Sequence, residues 1–438
     1  MLVVTAVGGI IFALFSGQPL TILGGTGPIA IFTGILYTLC ERLELPFLGV
    51  YAWVGIWAGL LLLISAFTAA SNIMKYFTRF TDEIFVVLVS LIFIHEALKS
   101  ISESFEQSER ATAFLTLILA LGTFMIARGL KRTIGAPYLT RWMREFLSDF
   151  GPTIAVVSMT MVALSFPDVT LELPAVPEKI APTSRAEWLI DMRRVPNWAI
   201  FATIIPGLMA AILLFLDQNI TTRLVNSKQF RLKKGGGYHL DMLVVSLLVI
   251  VSSLFGLPWI VAATVHSINH VKSLTQTEIT EESGRRKEVV VGVQENRLSN
   301  LLIHLLIGCS LYLLDLIRVI PMPVLFGLFL YMGFTSLLGN GFYERLMLWI
   351  TDPRLYPDTH FIKYVSPRTR HIYTAVQCLC TGILWILKSS RVGILFPLLL
   401  AGLEPLRLFL RKNFEPKEFD LLTAEHPEEY LEGNEIIE

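Results

Sequence analysis

The sequence predicts an all-α polytopic membrane protein made of two halves with inverted topology. Composition is the first reason. Of 438 residues, 53% are hydrophobic and 16% charged, with a mean hydropathy of +0.61, whereas a soluble domain carries about 25% charged residues. The second reason is a succession of about thirteen apolar stretches of the kind that build membrane segments. The third is that two of these stretches are interrupted in the same way, one in each half.

The apolar segments lie near 1–16, 19–41, 49–71, 82–100, 111–130, 151–166, 197–225, 239–255, 257–271, 298–319, 321–350 with a bend near Gly339, 371–388 and 391–411. Met1 to Ser16 is apolar and the first charged residue is Glu41. The chain is therefore expected to begin inside a membrane helix, without the basic start and cleavage site of a signal peptide. Basic residues set orientation. Lys75 and Arg79 follow the third segment, Arg128, Lys131, Arg132, Arg141 and Arg144 lie between the fifth and sixth, and Lys228, Arg231, Lys233 and Lys234 follow the seventh. These alternate loops are placed in the cytoplasm. Pro167 to Pro196, rich in proline and acid although it holds Arg185, Arg193 and Arg194, falls outside. A polar cytoplasmic linker runs from Lys272 through Arg285-Arg286-Lys287 to about Arg297.

The expected organisation is a first inverted repeat over 1–166, an extracellular loop over 167–196, a second repeat over 197–412 and an acidic cytoplasmic tail over 413–438. The tail reads as a solvated, disordered end. About six segments precede the loop and about seven follow it. Inverted repeats have halves of equal size, so one helix is expected to be missing from the front.

Charge and cysteine usage narrow the function classes. Lys+Arg and Asp+Glu both total 36, which gives no reason to expect a nucleic-acid partner. Cys40, Cys309, Cys378 and Cys380 fall in apolar runs and read as buried thiols, not as a disulfide framework,. The Cys-x-Cys at 378–380 does not have zinc-ligand spacing. No nucleophile–base pair or metal cluster stands out, and Glu96 beside His95 reads as helix-lining polarity, so an enzyme is not expected,.

The two interruptions carry the functional argument. The first runs Ser16-Gly17-Gln18-Pro19-Leu20-Thr21-Ile22-Leu23-Gly24-Gly25-Thr26-Gly27-Pro28, the second Ser253-Leu254-Phe255-Gly256-Leu257-Pro258-Trp259-Ile260-Val261-Ala262-Ala263-Thr264. Proline and glycine break helices, and the β-branched residues after them suit an extended strand. Non-helical backbone survives in a membrane only where protein covers it or water fills a cavity. Matched interruptions in two halves mark the binding site of a transporter. A helix is expected to restart near Gly27-Pro28 and near Ala263-Thr264. A helix start exposes free N–H groups and a partial positive charge, so two opposed starts would hold a small anion. The candidates for that role are Gly25, Thr26, Gly27, Ala263 and Thr264. Kinks that merely let helices pack closely are the structural alternative.

Asp217 lies deep in the seventh segment with Thr221 four residues on, one turn later on the same face,. An intramembrane carboxylate is costly and marks a functional site, although a packing aspartate is the plain alternative. Carboxylate and hydroxyl oxygens suit a small hard cation. An anion about 5 Å from Asp217 would be repelled by roughly 3 kcal/mol at an effective dielectric near 20, so a positive partner is needed. His266, two residues past Thr264, supplies one only when protonated. A bound Na+ at Asp217 and Thr221, with Thr264 and Val265 nearby, is the expected partner, with His266 as a tuning residue.

Several motifs in order resemble solute carrier family 4, the bicarbonate transporters. They are Gly17-Gln18-Pro19-Leu20-Thr21-Ile22-Leu23 with Thr26-Gly27-Pro28, Arg79-Phe80-Thr81-Asp82-Glu83, Lys233-Lys234-Gly235 with Gly237-Tyr238-His239-Leu240-Asp241, Pro258-Trp259, and Pro321-Met322-Pro323-Val324-Leu325-Phe326-Gly327 with Tyr331-Met332-Gly333. The resemblance implies two inverted seven-helix repeats divided into a core and a gate. It implies two half-helices meeting at mid-membrane and a site among the segments that start at Gln18, Leu257 and Pro196. By that alignment the first family helix, which lines the site, is missing, as is the large cytoplasmic domain of animal members. Pro-Leu-Thr-Ile-Leu before Thr-Gly-Pro, Asp217-Gln218 with Ile220-Thr221, and Val261-Ala262-Ala263-Thr264-Val265 look like the sodium-coupled branch. Chloride/bicarbonate exchangers of the family usually carry glutamate at the place of Asp217 and arginine at that of His266; sodium-coupled members have an aliphatic residue at the latter.

The expectation is a multi-pass transporter of the plasma membrane that moves bicarbonate or carbonate with Na+ by alternating access, embedded in lipid, with no cofactor. The resemblance further implies a homodimer. Na+-independent chloride/bicarbonate or borate exchange is the alternative, and a non-transporting fragment the alternative of another class. Ser100-Ile101-Ser102-Glu103 stands where animal members carry a stilbene-reactive Lys-x-x-Lys. Covalent stilbene block is therefore expected to be weak, and full block of flux at low stilbene concentration would contradict the alignment.

Overall fold

Most apolar runs become continuous helices, and the interruptions at 17–19 and 256–258 break two of them, whereas Pro206-Gly207 lies inside a continuous span. A computed structural model describes the chain except residues 71, 73–77, 175–186, 228–229, 283–284, 358, 391–394, 413 and 424–438, and except the side chains of 277–290 and 396. The first half runs α1 (Leu2–Phe15), β1 (Leu23–Gly24), α2 (Gly27–Arg42), α3 (Phe47–Phe67), α4 (Arg79–Gln107), α5 (Arg110–Arg132), α6 (Arg141–Asp149) and α7 (Gly151–Leu164). The second runs α8 (Asn197–Ala202), α9 (Ile204–Val225), α10 (Tyr238–Leu254), β2 (Val261–Ala262), α11 (Thr264–Ser273), β3 (Thr275–Glu282), β4 (Arg285–Val293), α12 (Leu298–Cys309), α13 (Leu314–Arg318), α14 (Met322–Leu337) and α15 (Gly341–Met347). It ends with α16 (His360–Lys363), α17 (Pro367–Lys388), α18 (Phe396–Arg411) and α19 (Pro416–Thr423). The helix–strand–helix order of α1-β1-α2 recurs as α10-β2-α11, which is the inverted-repeat pattern.

Among the described residues, five helices are long and apolar enough to cross a membrane: Phe47–Phe67, Arg79–Gln107, Arg110–Gly135, Asn197–Val225 and Leu298–Arg318. Two further helix pairs reach that length only when each bent pair is counted together, α6 with α7 at 65° and α14 with α15 at 87°. The second bend falls where the sequence places it. Gly339 has φ +79°, a conformation glycine adopts without strain,, and the Asn340 side chain accepts from the Tyr343 N–H to start α15. The shorter apolar helices Leu2–Phe15 and Tyr238–Leu254 each end at one of the two interruptions.

Two units interleave along the chain. One comprises Met1–Ile84, Ala181–Leu311 and Asp352–Glu438, the other Phe85–Ile180 and Tyr312–Thr351. In the first, α3 packs on α10 through glycine: a Cβ on Gly55 would meet Ser253 Oγ at 1.8 Å, and one on Gly59 would meet Ile250 Cγ1 at 2.4 Å. Such small residues let membrane helices approach closely. Arg223 at the end of α9 pairs with Asp82 at the start of α4. In the second unit, α5 carries α7 and α14. A Cβ on Gly327 would lie 2.3 Å from Ala120 O, so the two helix backbones touch there.

In the polar linker from Lys272, β3 and β4 form an antiparallel hairpin, with Thr275 opposite Val293. Two expectations are corrected. The tail from 413 is not wholly solvated. In α19 Phe419, Leu421 and Leu422 are buried, Phe419 meets Tyr373 edge-on, and Glu418 accepts from the Ser366 N–H and hydroxyl, both at 2.9 Å. Acidic neighbours mask that short apolar face in the sequence; residues 424–438 lie outside the described residues, as do Lys75, Arg185 and Lys228. Finally, Cys309 is exposed and Cys378 partly so, while Cys40 and Cys380 are buried. In a membrane helix an apolar run does not separate core from lipid-facing positions; Leu302, Leu305 and Leu306 of α12 are exposed too.

Gly327→Ala is expected to lower stability by about 1–3 kcal/mol, because backbone must move. Gly382→Ala, with open space around it, is expected to be neutral or slightly stabilising. Thermal unfolding of the purified protein checks the contrast; equal melting temperatures would contradict the α5–α14 contact.

Candidate functional site

The two interruptions meet. Strands β1 and β2 pair antiparallel, Leu23 opposite Ala262 and Gly24 opposite Val261. The Ala263 N–H donates to Ile22 O at 2.8 Å and extends the ladder. Helices α2 and α11 start at Gly27 and Thr264, directly after the paired strands. Neither start is capped by its own N-cap side chain.

Each carbonyl from Pro19 to Leu23 lies within hydrogen-bonding distance of a nitrogen. Asn300 Nδ2 donates to Pro19 O and Thr21 O, both at 2.8 Å. His270 Nδ1 lies 2.8 Å from Leu20 O, Ala263 N donates to Ile22 O, and His304 Nε2 lies 3.2 Å from Leu23 O. An unpaired backbone group away from water costs several kcal/mol, so this row of donors permits strand at this depth. Upstream, Asp241 Oδ1 accepts from the N–H groups of Gly17 and Gln18 at 2.7 and 3.0 Å. Arg297 donates to Ala13 O and Ser16 O, tying off the end of α1. A Cβ on Gly17 would lie 2.5 Å from Gly237 Cα, so backbone meets backbone here. The second interruption is held by aromatics: Tyr51 stacks on Trp259 at 4.5 Å, accepts from the Trp259 N–H and donates to Leu257 O.

Helix α9 brings the acid. Asp217 is buried, and its Oδ2 accepts from the Thr26 hydroxyl at 2.7 Å. The Thr221 and Thr264 hydroxyl oxygens are 2.6 Å apart, and Thr221 also reaches Ala262 O at 3.4 Å. Gln218 Oε1 accepts from the Ala262 N–H at 2.9 Å and locks β2 to α9. Thr26 with Asp217 and Thr221 with Thr264 thus form two hydrogen-bonded pairs of oxygens, whose α9 members stand one turn apart, and carboxylate and hydroxyl oxygens are the donor chemistry that suits a small hard cation.

The structure brings together Gly25, Thr26, Gly27, Ala263, Thr264, Asp217 and Thr221, and changes one role. The Ala263 N–H is consumed by the strand ladder, so it is not a donor to an anion. The Thr264, Val265 and His266 N–H groups form the open first turn of α11, before the Ser267 N–H bonds to Ala263 O,. Opposite them, among the described residues, the N–H groups of Gly25, Thr26 and Gly27 have no protein acceptor. His266 is exposed and, among the described residues, makes no hydrogen bond or ion pair; Val265 is half-buried beside Thr264. Sequence reasoning missed Gln218, Ser267, Asn300 and His304. Their signal was there: Asn300 and His304 stand four apart in a largely apolar helix, where polar side chains need partners.

The integral membrane domain of HCO3- transporters, as a family, matches residues 1–110 and 99–427 of this chain. The band 3 anion transport protein of Rattus norvegicus is 35% identical over 94% of the chain and 47% of its own length. The sodium-driven chloride bicarbonate exchanger of Homo sapiens is 33% identical over 96% of the chain and 44% of its own length. The chain thus spans less than half of each of these two relatives. Among solved structures, the transmembrane domain of the cyanobacterial bicarbonate transporter BicA shares the fold, with a TM-score of 0.58, 17% identity and 89% coverage of both chains.

Replacing Gln218 by Leu removes the acceptor of the Ala262 N–H. The expected loss is about 1–3 kcal/mol of stability, the cost of a stranded buried donor, read as a lower melting temperature; an unchanged one would contradict the α9–β2 lock.

Proposed function

The chain belongs to the HCO3- transporter family of integral membrane domains, and from that premise we propose that it is a secondary active transporter of bicarbonate or carbonate. The flux is coupled to Na+ and proceeds by alternating access. The observation that carries the reading is the pairing of β1 with β2, which sets the starts of α2 and α11 beside Asp217.

The anion is held by the free N–H groups of Gly25, Thr26 and Gly27 on one side and of Thr264, Val265 and His266 on the other. Each set carries the positive end of a helix dipole. The cation is held by Asp217 and by the hydroxyls of Thr221 and Thr264, with Thr26 as the link to the anion side. A monovalent cation there removes the repulsion between Asp217 and the oxyanion, so each ion raises the affinity for the other. His266 at the rim adds positive charge when protonated and tunes the anion side. The oligomer is a homodimer and the membrane the plasma membrane, both carried over from the resemblance. The relatives named above support an inorganic anion as cargo, and one of them is named as sodium-driven.

Replacing Na+ by a large organic cation is expected to cut labelled bicarbonate uptake into liposomes about tenfold or more. Unchanged uptake would contradict coupling and favour exchange without Na+, while no uptake under any condition would favour a non-transporting fragment. Asp217→Asn removes the carboxylate and is expected to abolish Na+ dependence; normal Na+-driven flux in that variant would contradict the cation site.

A further inference from the structure

Two histidines contact the extended segment, and their surroundings differ in one respect. His270 Nδ1 lies against Leu20 O, while its Nε2 lies 2.8 Å from the Ser299 hydroxyl. A hydroxyl can donate, so a neutral ring with one N–H satisfies both contacts. His304 has no such choice. Its Nδ1 is 2.9 Å from Asn300 O and its Nε2 is 3.2 Å from Leu23 O, and the side chain is fully buried. Carbonyl oxygens only accept, so a neutral ring makes one of these bonds and the doubly protonated ring makes both.

The ring sits in a slot made by glycine. A Cβ on Gly9 of α1 would lie 1.7 Å from His304 Cδ2 and 2.1 Å from Nε2. The slot fixes the ring between its own helix and β1, leaving neither nitrogen an outlet to solvent. Leu23 O, the last carbonyl of the row, lies two residues before Gly25, where the proposed anion donors begin.

We propose that His304 is a proton-binding site of the transport cycle. In its protonated form it donates to Asn300 O and Leu23 O at once. That bond fixes β1 to α12 and puts a positive charge beneath the anion loop, so proton and anion bind cooperatively. The neutral ring releases one carbonyl, and Leu23 O is the one held at the longer distance. The groups that face the ring are few. Helix α1 has no titratable side chain between Leu2 and Phe15, and Pro19–Gly24 has none. From α11 His270 faces it, and just before α12 Arg297 is engaged with Ala13 O and Ser16 O. The linkage to anion binding rests on the function proposed above; the second proton on the ring does not.

The experiment therefore reads both. Solid-state NMR of the full chain in lipid, with labelled histidine, follows ring nitrogens from about pH 8.5 to about pH 5. The His304 signals are assigned by their loss in His304→Gln, or in His304→Asn should the first variant not fold. A second N–H appearing on the wild-type ring as pH falls supports the proposal, and a ring with a single N–H throughout overturns it. Bicarbonate flux at fixed bicarbonate concentration is then measured across about pH 6.5–8.5. The wild type is expected to lose about threefold or more as pH rises, and His304→Gln to vary by less than about half of that. Identical profiles in both proteins overturn the linkage. A ring that titrates in a protein that carries no anion supports the proton site and counts against the transport reading instead.

Discussion

A ladder of two residue pairs, Leu23–Gly24 against Val261–Ala262, is the contact on which the functional centre depends. Strand is an expensive choice inside a bilayer, since each backbone group left unpaired costs several kcal/mol. The ladder itself satisfies only a part of that demand. The rest is met by side chains from three helices: Asn300 and His304 of α12, His270 and Ser267 of α11, and Gln218 of α9. Ser267 deserves its place beside them because its Oγ accepts from the Ile22 N–H at 3.0 Å and donates to Ala263 O at 2.8 Å, joining both interruptions through one hydroxyl.

Around that ladder the segment ends are fixed by charge and by close packing. Asp241 and Arg297 grip opposite sides of the break after α1, the acid taking N–H groups and the guanidinium taking carbonyls. Gly17 and Gly237 let two backbones touch, so the start of α10 sits directly on the break. The consequence for function is rigidity. The starts of α2 and α11 are held by covalent neighbours, by paired strands, by the buried Asp241 carboxylate and by the exposed Arg297 guanidinium, all within one unit of the fold.

The architecture was legible because glycine, proline and β-branched residues act locally. Gly27-Pro28 and Thr264 begin helices where the sequence places them, and Gly339 bends the segment that contains it. Asp217 stood out because a carboxylate in an apolar run has few plain explanations. The partners of these residues were not legible. That the Ala263 N–H is spent on Ile22 O, or that Thr26 donates to Asp217, depends on a register between residues more than 190 positions apart. Cys309, Cys378 and the Phe419 face of α19 escaped the sequence for the same reason: an apolar or acidic neighbourhood does not say which way a residue points.

The central claim is that a small oxyanion sits between the first turns of α2 and α11, with a cation on Asp217. An experimental structure of the protein in lipid with Na+ and bicarbonate tests it directly. The account predicts planar density within hydrogen-bonding distance of the Gly27 and Thr264 N–H groups and a second feature beside Asp217, with Leu23 still paired to Ala262. Continuous helices through Gln18–Pro28 and Leu257–Thr264, or anion density away from both helix starts, would contradict it.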